Sequence, residues 1–111
     1  MKTLVLNVNE IKWEKHPTFP GVYMKDIVTK EHNMDVINKY IKIESKGEIA
    51  VHTHDVTEAI YLVEGIASVL VNGNRISLKA GNMIATPEGV LHGIKNNTDE
   101  EVILLATFGV K

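Results

Sequence analysis

At 111 residues the chain is long enough for one hydrophobic core and too short for two, so a single domain over 1–111 is expected. Hydrophobic residues make up 44% and charged residues 23%, a balance that fits a globular protein and excludes wholesale disorder. The net charge of -2 offers nucleic acid no basic face, and the absence of cysteine removes disulfides, thiolate zinc sites and cysteine nucleophiles.

The chain opens with "TLVLNV", residues 3–8, which alternates like an edge strand and lacks the small-residue cleavage site of a signal peptide. No apolar run reaches the length of a membrane-spanning helix, so the expected compartment is the cytoplasm and no membrane partner is implied. The sequon "NNT" at 96–98 then reads as a chance match. Residues 9–20, "NEIKWEKHPTFP", are irregular and are expected to lie over the outside of the sheets. In this stretch Trp13 and Phe19 read as packing residues and His16 as an exposed side chain.

After that the period is two. "VYMKDIV" (22–28), "DVINKYIKIE" (35–44), "EAIYLVEG" (58–65), "IASVLVNGNRISLKAG" (66–81), "NMIATP" (82–87) and "EEVILLATF" (100–108) are short and rich in Val, Ile, Thr and Tyr. His32 falls in the polar "KEHNMD" and reads as exposed, Phe108 reads as packing, and Met24, Met34 and Met83 read as apolar fill, with pocket lining as the alternative. Asn72-Gly73 can take the positive φ angles of a tight hairpin turn. "KAGN" (79–82), "TPEG" (86–89) and "NNTDEE" (96–101) punctuate the later strands. Many short strands with no helical stripe between them predict an all-β antiparallel sandwich or barrel.

One stretch carries chemistry. "HTHDVTE", residues 52–58, places His52 and His54 two positions apart, so they share a face if the backbone is extended. Glu58 opens the next apolar strand, where it shares a face with Ile60 and Leu62. Two imidazoles and a carboxylate in one cavity suit a redox-active or Lewis-acid metal. The competing explanation is a polar loop whose histidines face water. A second stretch, "GNMIATPEGVLHGIKN" (81–96), spaces Gly81, Pro87, Gly89, His92 and Asn96 by five, one, two and three residues.

Together these stretches resemble the two motifs of the cupin superfamily, the first at 47–65 and the second at 81–96, with a fifteen-residue hairpin between them. The first departs slightly: four residues, not five, separate Gly47 from His52. The resemblance implies a jelly-roll barrel of two antiparallel sheets, open at one end, typical of a small single-domain cupin. It assigns metal ligation to His52, His54, Glu58 and His92, with one divalent transition metal per chain, the choice among Mn, Fe, Ni and Zn staying open. Gly65, Gly73, Gly81 and Gly89 fall where strands turn, and Asn96 is expected to bond backbone after the second motif.

Up to two open metal positions imply a small-molecule ligand. The expected function is a metalloenzyme of dioxygenase, isomerase or lyase type, with Glu58 as the catalytic proton acceptor. The alternative is a non-catalytic small-molecule-binding or sensor cupin. Arg75 is the only arginine and lies in the hairpin, away from a pocket walled by Ile60, Leu62 and Ile94. An anionic ligand is therefore disfavoured, with Lys39 or Lys42 as the remaining sources of positive charge. A homodimer is expected through the N-terminal edge strand, as in resembling small cupins.

Overall fold

Alternation of apolar and polar side chains yields ten strands over residues 3–110, the part of the chain that the computed structural model describes. They are β1 (Glu14–Lys15), β2 (Val22–Val28), β3 (Val36–Ile43), β4 (Glu48–His52), β5 (Glu58–Glu64), β6 (Ile66–Val71), β7 (Asn74–Lys79), β8 (Met83–Thr86), β9 (His92–Lys95) and β10 (Val102–Gly109). Two single 3-10 turns, Val8–Glu10 and Lys30–His32, interrupt them. No helix among the described residues is long and apolar enough to cross a membrane.

The strands form two antiparallel sheets of order β1-β2-β3-β10-β5-β8 and β4-β9-β6-β7. The sheets face one another as in a jelly roll but are not joined into one closed ring of hydrogen bonds. Inward positions alternate along each strand, so Val22, Ile41, Ile43, Leu62, Val69, Val102 and Leu104 meet between the layers. Each aliphatic side chain removed from water in this way contributes roughly 1.5–3 kcal/mol. Asn72 (φ 46) and Gly73 (φ 82) make the two-residue reversal between β6 and β7 that their sequence predicts.

One expectation fails and a second holds only in part, for Trp13 lies over Lys25 and Lys42 on the outer face. "TLVLNV" forms no strand: residues 3–7 lack regular structure and Val8 starts a 3-10 turn. A strand exists only against a neighbour that takes its backbone hydrogen bonds, and this segment has none, leaving Val5 87% exposed. Residues 9–20 do not simply cover the outside. After the short pairing of β1 with β2, the chain turns inward and packs Phe19 against the core. His16 holds this turn, its Nδ1 accepting the backbone N–H groups of Thr18 (3.0 Å) and Phe19 (3.2 Å).

Candidate metal centre

Four side chains from both sheets meet at one end of the sandwich. His52 ends β4 and His92 begins β9, and the two residues are direct cross-strand partners. Glu58 begins β5 on the opposite sheet, between Phe108 of β10 and Thr86 of β8. His54 lies just past β4, where its carbonyl accepts the N–H of Gly89 at 2.9 Å and ties the first motif's loop to the second motif. Gly93 lets β4 pass close to β9, since a Cβ there would lie 3.0 Å from the Ile49 oxygen and 3.1 Å from the Val51 nitrogen.

One ligand atom from each of His52, His54, Glu58 and His92 lies within 4.8 Å of the others. His52 Nε2 is 2.9 Å from His54 Nε2, His92 Nε2 is 2.8 Å from Glu58 Oε1, and His54 Nε2 is 3.6 Å from that same oxygen. Adjacent ligands of an octahedral ion with bonds near 2.1 Å stand about 3.0 Å apart, so these separations suit a shared cation.

The outer hydrogen bonds make the fit chemical as well as geometric. His52 Nδ1 donates to the Ala50 carbonyl at 2.7 Å and His92 Nδ1 donates to the Val90 carbonyl at 2.8 Å. A neutral ring with its proton on Nδ1 presents a lone pair on Nε2. Each of these lone pairs points at another donor atom, so a proton or a metal ion must lie between them. This backbone bracing is the arrangement that orients histidine ligands toward metals.

Burial tunes the cluster. Glu58 and His92 are each only 5% exposed. Burial pushes the Glu58 carboxyl above its ordinary range, and the adjacent His92 opposes the shift. His54 is moved down, first by burial and then by His52, His92 and Lys39, which keeps its ring neutral to lower pH.

Above the cluster lies a cavity of roughly 290 Å³, the low end of small-molecule sites. Ile60 and Ile94 line it as the sequence predicts, whereas Leu62 is fully buried and is not part of the lining. Arg75 reaches Ser68 instead (3.4 Å) and is absent from the lining. Met24 lines the cavity, while Met83 lies exposed on the outer face. His32 is exposed as expected, but His16 is half-buried and lines the mouth beside Phe19, with ring centroids 4.7 Å apart. Phe108 also serves the cavity as well as the packing, its ring edge-on to His54 at 5.1 Å. Sequence alone missed His16 and Phe19. The available signal was an aromatic residue held between two prolines, next to a histidine able to cap the turn.

Asn96, fully buried, donates to the Ile43 and Glu100 carbonyls at 3.0 and 2.7 Å, so it holds the turn after β9 and stays out of the cluster. Gly47 is not the positive-φ residue of its turn. Lys46 takes the positive φ of 66 in that turn, and Gly47 instead allows close passage of Ile43 and Gly21.

Comparison with known proteins agrees with this architecture. The sequence model of the cupin domain matches residues 39–108. A germin-like protein of Arabidopsis thaliana, subfamily 2 member 1, is 38% identical over 63 residues, which is 51% of this chain but only 29% of the length of that curated relative. A predicted oxalate decarboxylase from Thermotoga maritima superposes with a TM-score of 0.88 at 25% identity, over 97% of this chain and 100% of that one. The polyketide cyclase RemF from Streptomyces resistomycificus gives 0.87 at 16% identity, over 99% and 81%, a likeness of fold alone. A domain match over more than half the chain, together with a two-sheet jelly roll, places this protein in the cupin family.

Proposed function

We propose that this cupin is a metal-dependent enzyme acting on a small molecule, with His52, His54, Glu58 and His92 as the ligands of one divalent transition metal. The observation that carries this is the pairing of Nδ1-braced imidazoles with a buried carboxylate, all four donors converging at one end of a small cavity. A bound ion of this kind supplies polarisation of a ligand oxygen and lowers the pKa of coordinated water.

The chain's own residues set the rest. Glu58 is the carboxylate that lines the cavity, and when it leaves the ion it is placed to take a proton from the substrate and return it. Ile60, Ile84 and Ile94 exclude water from the reacting face. The similarity to a predicted oxalate decarboxylase supports the lyase form over the dioxygenase and isomerase forms. The test is elemental analysis of protein purified without a nickel column, then reloading with Fe, Mn, Ni and Zn in turn. Oxygen uptake and product formation are followed over enediols, β-diketones and unsaturated sugar acids. About one metal per chain and turnover with one ion are expected; a chain that takes up no metal ends the proposal.

The largely apolar lining also favours a second function, a non-catalytic small-molecule binder. Unmodified ligand recovered under every metal would select it. Homodimerisation belongs to the same proposal, with support now from exposed apolar side chains: Val5 and Leu6 in the N-terminal segment, and Tyr61 and Met83, cross-strand partners on the outer face. Light scattering behind a sizing column checks it; a monomer at tens of micromolar removes it.

A further inference from the structure

Lys39 lines the cavity but has no place among the four converging donors. It occupies an inward position of β3, on the same face as the buried Ile41 and Ile43. Lys42 faces the other way and lies over the Trp13 and Tyr23 rings, 4.9 Å from each centroid. The Lys39 side chain is 26% exposed, so its ammonium is partly withdrawn from water and gains from a partner.

The partners the protein provides are weak. Asp26 Oδ1 is 3.9 Å from Lys39 Nζ, and the Asp26 side chain is 57% exposed. A pair of that kind contributes little. The Phe108 ring lies 5.7 Å away, a second modest contact.

Register shows what Lys39 is placed to reach. Lys39 pairs with Ala106, which pairs with Ile60, so one inward row runs across β3, β10 and β5. Phe108 and Glu58 form the adjacent row. Two strand spacings, about 10 Å, separate the β3 and β5 backbones. Between them stands Ala106, the smallest side chain of the row. A divalent ion held by Glu58 and three neutral imidazoles carries one net positive charge, and Lys39 adds a second. The apolar walls around them screen neither charge well.

We propose that Lys39 determines specificity by pairing with the carboxylate of a small organic acid whose other end presents oxygen atoms to the four-donor cluster. The inference rests on the metal-binding role proposed above for that cluster. It goes against the expectation, drawn from the position of Arg75, that an anionic ligand is disfavoured, and it selects Lys39 over Lys42 as the source of positive charge.

The experiment compares two probes with the same chelating head. Heptane-2,4-dione is neutral, whereas 4,6-dioxoheptanoate carries a carboxylate at the end of the same chain. Both are titrated calorimetrically into metal-loaded protein, with metal per chain measured on every sample. Wild type should bind the acid about tenfold more tightly than the neutral dione. Lys39→Met, which keeps the apolar stem against Phe108, should bring the two within about twofold at unchanged metal content, while Lys39→Arg should keep the preference. Lys42→Met should match wild type. Equal binding of the two diones by metal-loaded wild type, or an undiminished preference in Lys39→Met, overturns the role of Lys39 and leaves the metal proposal standing. Failure of wild type to load metal overturns both.

Discussion

His16 and His32 use Nδ1 in the opposite sense from His52 and His92. In the first pair Nδ1 accepts backbone N–H groups: those of Thr18 and Phe19 for His16, and that of Thr29 for His32 at 2.9 Å. In the second pair Nδ1 faces the carbonyls of Ala50 and Val90, two residues back along the chain, and must donate. The proton is therefore on Nε2 in one pair and on Nδ1 in the other. The first pair can only donate through its outer nitrogen while neutral, whereas the second presents lone pairs. Residue type is the same in all four. What differs is whether the local backbone turns an N–H or a C=O toward the ring, and strand-end geometry provides the carbonyl.

The largest effect that tests this contrast is on metal affinity. His52→Ala and His92→Ala should each weaken binding by at least about 100-fold in a competition titration against a chromophoric chelator. His32→Ala and His16→Ala should change it by less than about threefold, since their lone pairs are already used by the backbone. A His32→Ala defect as large as that of His92→Ala would show that the tautomer contrast has no bearing on metal.

A smaller effect probes the bracing itself. Gly93→Ala would drive a methyl against Ile49 and Val51, spreading β4 from β9 and moving the Ala50 carbonyl relative to His52. A loss of about 1–3 kcal/mol in denaturant unfolding is expected, with metal binding weakened by about tenfold. Gly73→Ala meets nothing within 4 Å at the added Cβ. It should cost about 1 kcal/mol through its positive φ and leave metal affinity unchanged. Equal metal affinities in the two variants would separate β4–β9 packing from ligand placement.

The same contrast explains how much was legible in the sequence. Period-two alternation located β2, β3, β5, β6, β7, β8 and β10 to within one or two residues, because each has a buried face that demands the pattern. The two motif spacings singled out the four residues that the fold brings together. "TLVLNV" misled because alternation records what a segment can bury, not whether a neighbouring strand is there to receive it. His16 and Phe19 were missed because a single aromatic in a proline-flanked turn has no period. Lys39 was named from the sequence only together with Lys42; "INKYIKI" separates the two, since Lys39 is in step with Ile37, Ile41 and Ile43, a charge in an inward register, whereas Lys42 is out of step.

The smallest predicted effect is one proton, and it concerns Glu58. Its folded pKa is raised above the ordinary 4.5, chiefly by burial. Between 4.5 and that raised value the metal-free site holds a proton that a free carboxylate would have lost, and an incoming ion must displace it. His54 acts the other way. Its pKa lies below 6.5, so it becomes available to metal at lower pH than an ordinary histidine. Metal affinity should therefore fall as pH drops through the Glu58 window, by up to about tenfold per unit for that proton. Glu58→Gln should bind more weakly throughout, with a slope shallower by one proton. Stability of the metal-free protein carries the matching sign. A raised carboxyl pKa favours the folded state at low pH, and that contribution is lost as pH rises from 4.5 through the folded value. The depressed His54 costs stability as pH falls through 6.5, but it is common to both proteins and cancels in their difference. Thermal unfolding without metal should thus show Glu58→Gln gaining on wild type as pH rises through the Glu58 window. A difference that stays flat with pH would mean that burial does not raise this carboxyl.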